Sequence, residues 1–459
     1  MAEFSPETFR EFIATWFEWM ICKSNSIVTI VVGTQSDRLR PSECETVKTD
    51  AEKIMKHYIQ NRKKQFETEI KKIESRPHIS ATYSELLKNY VHLLNASLLV
   101  HPSVMTTSAA KYSGFKELQE AIIATADTRE FFPNFKQEIP TFWIDVEHFL
   151  EDKGNFMAVP VIAWPDYEEL VTRKFGMKHL LKAITQYLHE SGKVIWFSKM
   201  NSLKKYVFLR PSWLFEVFRY VFRYDIGDES KCPVDWLKRI GLSSNRIERA
   251  WKELIEEGIV ERDFIKGMLG HCVPHDLNQP FLQVLNILIE GFGIGYPVQK
   301  KMKEGAYNLT VEPDADGKVK LARVLLPWYR KNPEPASVTE HWMSLSSKPK
   351  VVALYNFHNY MPPGLFETFV VRVNGTTKSP TLLLSHWGGG IHAQHPTRAV
   401  QILVTHNIIS GQSATIKFDV RDVSDAESDS PKIIWEVLLP ILMLFEEILQ
   451  GFSGIHLYT

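Results

Sequence analysis

The chain has 459 residues, in which 54 lysines and arginines balance 54 aspartates and glutamates, and 44% of the residues are hydrophobic. A chain of this size and composition can bury several cores, so we expect about three domains rather than a disordered tail. Because the formal net charge is +0, no whole-chain field attracts a nucleic-acid backbone or an anionic membrane. Any such binding must be local.

The cysteine content favours a reducing compartment. The four cysteines form no CxxC pair and are too sparse for a disulfide framework, so we expect a cytoplasmic protein. They are Cys22, Cys44, Cys232 and Cys272. The most apolar stretch, residues 433–449, contains Glu436, Pro440 and Glu446 and is too short to cross roughly 30 Å of hydrocarbon. It predicts a buried helix and no transmembrane segment.

Residues 1–127 alternate helices with buried strands, which predicts an α/β domain. Ser5-Pro6-Glu7-Thr8 is a helix-start signature, and apolar residues then recur at helical spacing as far as Met20. The β-branched run 27–33 has no polar alternation, as in a parallel strand covered on both faces. The elements predicted after it are helices over 50–76 and 86–94, strands over 98–100 and 104–106, and a helix over 114–126.

Residues 128–332 alternate helices with short hairpins. A helix over 180–189, a hairpin of 193–197 with 206–209, and a helix from Pro211 to Phe222 give the outline of a winged helix. A weaker copy follows, with helices over 234–241, 246–258 and 280–292. A winged helix suggests nucleic-acid binding, which is the alternative function. The candidate recognition helix, however, carries only Arg219 and Arg223 as cations and is otherwise largely apolar, so we expect it to lie in a core or an interface.

Residues 333–459 are typical of an α+β domain. The predicted strands are 351–354, 369–373, 382–384, 401–404 and 414–418, and a final helix follows an acidic loop over 419–430. Asn374-Gly375 predicts a hairpin after the second of these strands.

The sharpest candidate site is Gly33-Thr34-Gln35-Ser36-Asp37, at the end of a predicted buried strand. Open α/β sheets bind ligands at this end of their strands. The Asp37 carboxylate could accept hydrogen bonds from both N1–H and the exocyclic amine of guanine, a donor pair that adenine lacks. A polar turn without ligand is the alternative at this point.

A second loop, Thr107-Ser108-Ala109-Ala110-Lys111, also follows a predicted strand and precedes a helix. Its backbone N–H groups could meet the guanine carbonyl oxygen. No GxxxxGK[ST] string occurs in the sequence, and no strand ending in DxxG precedes residue 33. The elements that bind phosphate and Mg²⁺ are therefore missing from this sequence, and GTP hydrolysis by it is not expected.

The two loops resemble the fourth and fifth guanine-nucleotide motifs of small G proteins, in the Thr-His-x-Asp form found in Roc domains, with Gln35 in place of the histidine. Three later segments resemble the COR domain that follows Roc in ROCO proteins. They are Ile139-Pro140-Thr141-Phe142-Trp143, His189-Glu190-Ser191-Gly192-Lys193 and Arg210-Pro211-Ser212-Trp213-Leu214. One branch of that family also shares the turn at 362–366, the tail at 449–456 and a long insertion between the two guanine motifs, which here lie 71 residues apart.

The resemblance implies a partial Roc G domain at 1–127, a helical COR-A subdomain with winged-helix units at 128–332, and a β-sheet COR-B subdomain with a C-terminal helix at 333–459. It implies guanine recognition by Thr34, Gln35, Asp37, Ser108 and Ala109, with weak GTP or GDP contact and no Mg²⁺. It also implies a homodimer formed through COR, signalling partners, and leucine-rich repeats preceding Roc in the longer protein. We expect the sequence to be a fragment of such a protein rather than a degenerate relative that has lost these parts. The alternative is a protein-interaction scaffold that binds no nucleotide.

Three other motifs carry weaker signals. His386-Trp387-Gly388-Gly389-Gly390 is similar to an esterase oxyanion loop, but no GxSxG elbow accompanies it, so a glycine turn between strands is predicted. The group His271, Cys272, His275 and Asp276 matches no standard zinc spacing. The segment 314–317 lacks the remaining ligands of a calcium loop and predicts a hairpin turn.

Overall fold

A computed structural model gives the fold. It describes residues 13–23, 27–75, 84, 87–88, 90–91, 94, 98–128, 132, 136, 138–222, 232, 234–274, 276–298, 323–357, 361–374, 382–410, 413–424, 430–452 and 457–458. The predicted helix start at Ser5 and the predicted turn at 314–317 lie outside these residues. In the predicted helix 86–94, the described residues 87–88, 90–91 and 94 are helical. Within the described ranges, no helix is both long and apolar enough to cross a bilayer.

The N-terminal part places helices beside short parallel strands. Its elements are α1 (Thr15–Lys23), β1 (Ile27–Thr29), β2 (Val32–Gly33), α2 (Pro41–Glu74), β3 (Leu98–Val100), β4 (Met105–Thr106) and α3 (Phe115–Ala126). The strand β1 pairs in parallel with β3, and β2 pairs in parallel with β4. The parallel α/β arrangement predicted for this part is therefore present.

Two details differ from the sequence prediction. The run 27–33 forms two short strands rather than one, and its residues 28–32 are half-buried, because each strand belongs to a two-stranded pair that covers it incompletely. Helix α2 begins at Pro41, nine residues before the predicted start. Proline is favoured in the first helical turn, and the backbone N–H of Arg40 donates to the carboxylate of Glu43 at 2.9 Å, which closes the helix start.

The middle part begins with helices around a small antiparallel pair. Its first elements are α4 (Thr141–Phe156), β5 (Val161–Ala163), α5 (Trp164–Phe175), α6 (Leu181–Glu190), β6 (Tyr206–Phe208) and α7 (Pro211–Val221). Of the predicted hairpin, only the bridge between Ile195 and Phe208 forms, with two hydrogen bonds of 2.9 Å. The ladder partner of β6 is β5 instead.

Helix α7 lies in the core. Trp213, Leu214 and Val217 are buried, and the Trp213 indole N–H donates to the carbonyl of Cys272 at 2.9 Å. This burial agrees with the expectation drawn from its apolar sequence. A helix held in this way cannot present these side chains to a nucleic-acid groove.

The rest of the middle part packs on the same core. Its elements are α8 (Val234–Arg239), α9 (Ser244–Glu257), β7 (Ile259–Glu261), α10 (Arg262–Met268), α11 (Asn278–Asn286), β8 (Tyr296–Pro297) and β9 (Arg323–Leu325). The strands form an antiparallel sheet in the order β7-β9-β8. The ring of Phe292 contacts Phe197, Phe208 and Phe218, so these later elements share a core with β6 and α7, whereas α4, α5 and α6 pack around a separate core. The winged-helix classification stays a prediction.

The C-terminal part is an antiparallel sheet covered by two helices. Its elements are α12 (Ala336–Ser344), β10 (Lys350–Phe357), α13 (Leu365–Asn374), β11 (Leu382–Trp387), β12 (Gly390–Gln394), β13 (Val400–Ser410), β14 (Ser413–Asp422), α14 (Ser430–Leu449) and β15 (Leu457–Tyr458). The strand order is β11-β12-β13-β14-β10-β15. Phe369 of α13, Phe418 of β14 and Phe445 of α14 pack with ring centroids 5.4–5.5 Å apart. The mixed helix and sheet composition agrees with the predicted α+β class.

The predicted strand 369–373 is wrong, because these residues belong to helix α13. Phe366, Phe369, Val370 and Val373 are buried at helical spacing, so packing against the sheet overrides the β-branched composition. Asn374 ends the helix, and its side-chain amide donates to the carbonyl of Val370 at 2.7 Å. The hairpin predicted at Asn374-Gly375 is therefore not preceded by a strand, and Gly375 lies outside the described residues.

Arg330 joins the middle part to the C-terminal part. Its Nη1 donates to the carbonyl of Glu257 at 2.8 Å, and its Nε donates to the carbonyl of His386 at 2.5 Å. The His386 ring is buried beside the hydroxyl of Tyr296, and burial, with the Arg330 charge, lowers the pKa of His386 to about 3. The His386 imidazole is therefore neutral where Arg330 connects the middle part to the C-terminal part.

Replacing Arg330 with methionine removes both donors and leaves two carbonyls without these partners. A hydrogen bond to a charged group contributes about 1.5–3 kcal/mol, so we expect Arg330→Met to lower the free energy of unfolding by about 3 kcal/mol or more. Urea unfolding followed by tryptophan fluorescence measures this. The control is Arg398→Met, which removes the exposed ion pair with Glu436 and should cost about 1 kcal/mol or less. Equal losses in both variants would contradict the junction role.

Candidate functional site

The two predicted guanine loops leave neighbouring strands at the same end. In the β2–β4 pair, Val32 lies opposite Met105 and Gly33 lies opposite Thr106. The N–H of Thr107 donates to the carbonyl of Gly33 at 2.9 Å, and the N–H of Ser36 donates to the carbonyl of Thr107 at 3.1 Å. Backbone hydrogen bonds therefore connect the loops 33–37 and 107–111 beyond the ends of the strands.

Asp37 and Ser108 are in direct contact. The Ser108 hydroxyl donates a short hydrogen bond to Oδ1 of Asp37, and Ser108 Oγ accepts from the N–H of Lys111 at 3.1 Å. Ser108 is buried, whereas Asp37 is half-buried. The Ser108 hydrogen bond lowers the pKa of Asp37, and the charges of Lys111 and Arg38 act in the same direction. The carboxylate is therefore ionised at neutral pH, and one of its oxygens is oriented by serine.

The remaining predicted site residues lie on the surface around this contact. Thr34, Gln35 and Ala109 are exposed. Gln35 has a φ of 60°, in the left-handed region, and it precedes the short 3₁₀ turn at Ser36–Arg38 that carries Asp37. Within the part of the chain that the structure describes, the backbone N–H groups of Ala109 and Ala110 make no hydrogen bond.

This arrangement offers an acceptor group and free donors on adjoining loops. A carboxylate can accept two hydrogen bonds from a ligand edge that carries two N–H donors, and the Ala109 amide can donate to a carbonyl oxygen. Guanine has both features on one edge. The geometry is compatible with the predicted guanine contact, and nucleotide binding itself stays a prediction.

Several residues that shape the site are absent from the sequence prediction. Glu52 of α2 accepts from the N–H of Val104 at 2.9 Å and holds the start of β4. Ser108 and Ser113 exchange two backbone hydrogen bonds of 3.0 Å, which close the second loop. Gly114 then takes a φ of +80°, and a Cβ there would lie 2.0 Å from the carbonyl oxygen of Thr106. In the sequence, the only signal for these contacts is Gly114, a glycine immediately before a predicted helix.

The glycine turn predicted at 386–390 is confirmed, because residues 388–389 connect β11 to β12. His386 there is buried and hydrogen-bonded to Tyr296 rather than facing a nucleophile.

In the candidate metal group at 271–276, the described side chains of His271 and Cys272 make packing and hydrogen-bond contacts. His271 accepts from the Trp236 indole at 2.6 Å and stacks on Tyr220, and burial raises the pKa of Cys272 to about 12. His275 lies outside the described residues, and those that are described contain no cluster of three metal-ligating side chains.

Comparison with known proteins adds a family match in the middle of the chain. Residues 140–307 match the family model described as "C-terminal of Roc, COR-A domain". These residues fall inside the predicted 128–332 unit, whose boundaries stay a prediction.

Curated relatives extend this match. The chain is 25% identical over 319 residues to the malignant fibrous histiocytoma-amplified sequence 1 homolog of Xenopus tropicalis, covering 65% of the chain and 29% of the relative. It is 22% identical over 509 residues to the homolog of Mus musculus, covering 100% of the chain and 45% of the relative. The chain thus spans less than half the length of these relatives.

A solved structure of Methanosarcina barkeri Roco2 RocCORdC bound to GDP is 16% identical, with a TM-score of 0.28, and covers 56% of this chain and 60% of that one. Agreement of this size supports no statement about the fold.

The COR-A match and the relatives define a protein with a COR domain. These matches support assignment of the chain to the ROCO family.

The second loop should depend on Gly114. Gly114→Ala combines an unfavourable φ with a backbone overlap, so it should cost more than the roughly 1–3 kcal/mol of a strained backbone alone. We expect the amide protons of Thr107 and Ser108 to exchange with solvent at least about tenfold faster. The control is Gly176→Ala, which has a similar φ of +73° but open space around the added Cβ. Unchanged exchange in Gly114→Ala would contradict this account of the loop.

Proposed function

We propose that this chain is the Roc-COR portion of a ROCO-type signalling scaffold that contacts guanine nucleotides weakly through the loops 33–37 and 107–111. The single observation that carries the proposal is the hydrogen bond between Ser108 and Asp37, which joins loops 71 residues apart. Such a contact orients the carboxylate that base recognition requires.

Base selectivity would come from the Asp37 carboxylate. Guanine presents N1–H and an amine to it, whereas adenine presents an unprotonated N1 and cannot supply this pair of donors. The free N–H of Ala109 would bind the guanine carbonyl oxygen, and Thr34 and Gln35 would border the base. The hydroxyl of Ser108 would keep the carboxylate in position.

The affinity should be low and hydrolysis should be absent. Phosphate binding needs a Gly-rich loop with a lysine, and metal binding needs the associated hydroxyl and carboxylate, and none of these motifs occurs in this sequence. The nucleotide would be GDP or GTP, without Mg²⁺ held by these residues. The main role of the chain would then be assembly rather than turnover.

We also propose that the chain forms a homodimer through COR and acts with signalling proteins and leucine-rich repeats of the longer protein in the regulation of innate immune or kinase signalling. The COR-A match and the relatives support this assignment. Light scattering should give a mass above that of the 53.0 kDa monomer.

Nucleotide contact is tested by comparing GDP with ADP. In ligand-detected NMR, we expect wild-type protein to bind GDP and not ADP. Asp37→Asn loses an acceptor for two donors, so its affinity for GDP should fall about 10- to 100-fold. The matched control is Asp152→Asn, on an exposed face of α4, which should bind GDP as the wild type does.

Three outcomes would count against the proposal. Equal binding of ADP would remove the proposed role of Asp37 in base selection. Complete absence of GDP binding would favour a scaffold that contacts no nucleotide. GTP hydrolysis by the wild type that disappears in Asp37→Asn would show that the phosphate-binding groups are present after all.

A further inference from the structure

The C-terminal helix α14 carries an exposed apolar stripe. Trp435, Leu439 and Met443 have 48%, 53% and 64% of their surface exposed. They are spaced four residues apart, so they lie along one side of the helix. The opposite side of the helix is buried against the sheet through residues such as Val437 and Phe445. Contiguous exposed side chains of this size mark an interaction surface rather than ordinary solvent-exposed positions.

The charges at the two ends of the stripe have opposite signs. Lys432 and Glu446 are each seven residues from Leu439, which is about two helical turns, and so they lie on the same side as the stripe. Lys432 makes no ion pair in the described ranges. Glu446 accepts a hydrogen bond from the Tyr355 hydroxyl at 2.8 Å, which leaves its second oxygen available.

Neighbouring acidic side chains on this helix are already paired. Glu436 pairs with Arg398 at 2.5 Å, and Glu447 pairs with Arg372 at 3.4 Å. A membrane-surface helix would instead carry several basic side chains beside the apolar stripe. The unpaired Lys432 and the accessible Glu446 therefore favour a protein partner that carries an acidic and a basic group at matching positions.

This pattern is self-complementary about Leu439. When a second copy of α14 packs antiparallel across a two-fold axis at Leu439, Trp435 of each copy meets Met443 of the other. Lys432 of each copy then meets Glu446 of the other. A two-fold interface requires such a match, because the same surface must serve as both partners.

We propose that the stripe formed by Trp435, Leu439 and Met443 is the surface on which a second copy of this chain docks, with α14 paired antiparallel about Leu439. This inference rests on the homodimer proposed above and specifies its contact. The tryptophan supplies the large desolvated anchor typical of interface hot spots. The two symmetry-related ion pairs fix the register.

Charge reversal tests the register. Sedimentation equilibrium of the full chain should show Lys432→Glu weakening the dimer roughly tenfold or more, because two acidic groups then face each other across each end. Adding Glu446→Lys to Lys432→Glu should restore wild-type affinity. Trp435→Ala should weaken the dimer about 30-fold. The control is Phe156→Ala, which removes an exposed aromatic side chain of helix α4 and should leave the dimer unchanged.

The outcomes separate this inference from the dimer proposal. A wild-type chain that remains a monomer at all concentrations overturns both. A dimer that is unaffected by Lys432→Glu and by Trp435→Ala overturns the α14 contact while dimerisation stands. A dimer weakened by Trp435→Ala but not restored by the double charge reversal overturns the register. Far-ultraviolet circular dichroism identifies any variant that fails to fold. If Lys432→Glu is one of these, Lys432→Ala tests the contact, since it removes the positive charge and should still weaken the dimer.

Discussion

The parallel pairing of Val32–Gly33 with Met105–Thr106 is the constraint on which the candidate site depends. It is only two residue pairs long, yet it brings together one loop that precedes helix α2 in the sequence and one that follows it. The backbone bonds through Thr107 and the contact between Ser108 and Asp37 then extend the pairing beyond the strands. Without this register the carboxylate and the free amide of Ala109 would not share one surface.

The loops could be predicted from the sequence because their chemistry is local. A polar turn containing Asp37 follows a β-branched run, and a serine-containing turn ends at a glycine before a helix. The contact between them could be expected from their resemblance to paired guanine-nucleotide motifs and from the rule that parallel strands end at one edge of a sheet. The support given by Glu52 could not be expected, because it depends on the position of α2 relative to β4.

Two predictions for the middle and C-terminal parts differ from the structure. Residues 369–373 have strand-like composition, and they form a helix because two aromatic-rich faces, on α14 and the sheet, bury them. The strand β6 pairs with β5 rather than with the nearer segment 193–197, because the residues between that segment and β6 fold into turns. The Trp196 indole donates to the carbonyl of Lys204 in these turns at 3.0 Å. Local periodicity encodes neither the packing that buries residues 369–373 nor the turns that precede β6.

The most direct test of the account is the backbone amide signal of Ala109 in protein labelled with ¹⁵N at alanine, titrated with GDP and then with ADP. The account predicts that the Ala109 resonance shifts with GDP and stays in place with ADP, because in the proposed complex this amide donates to the guanine carbonyl oxygen. Shifts confined to alanines outside the two loops, or an equal response to both nucleotides, would contradict it.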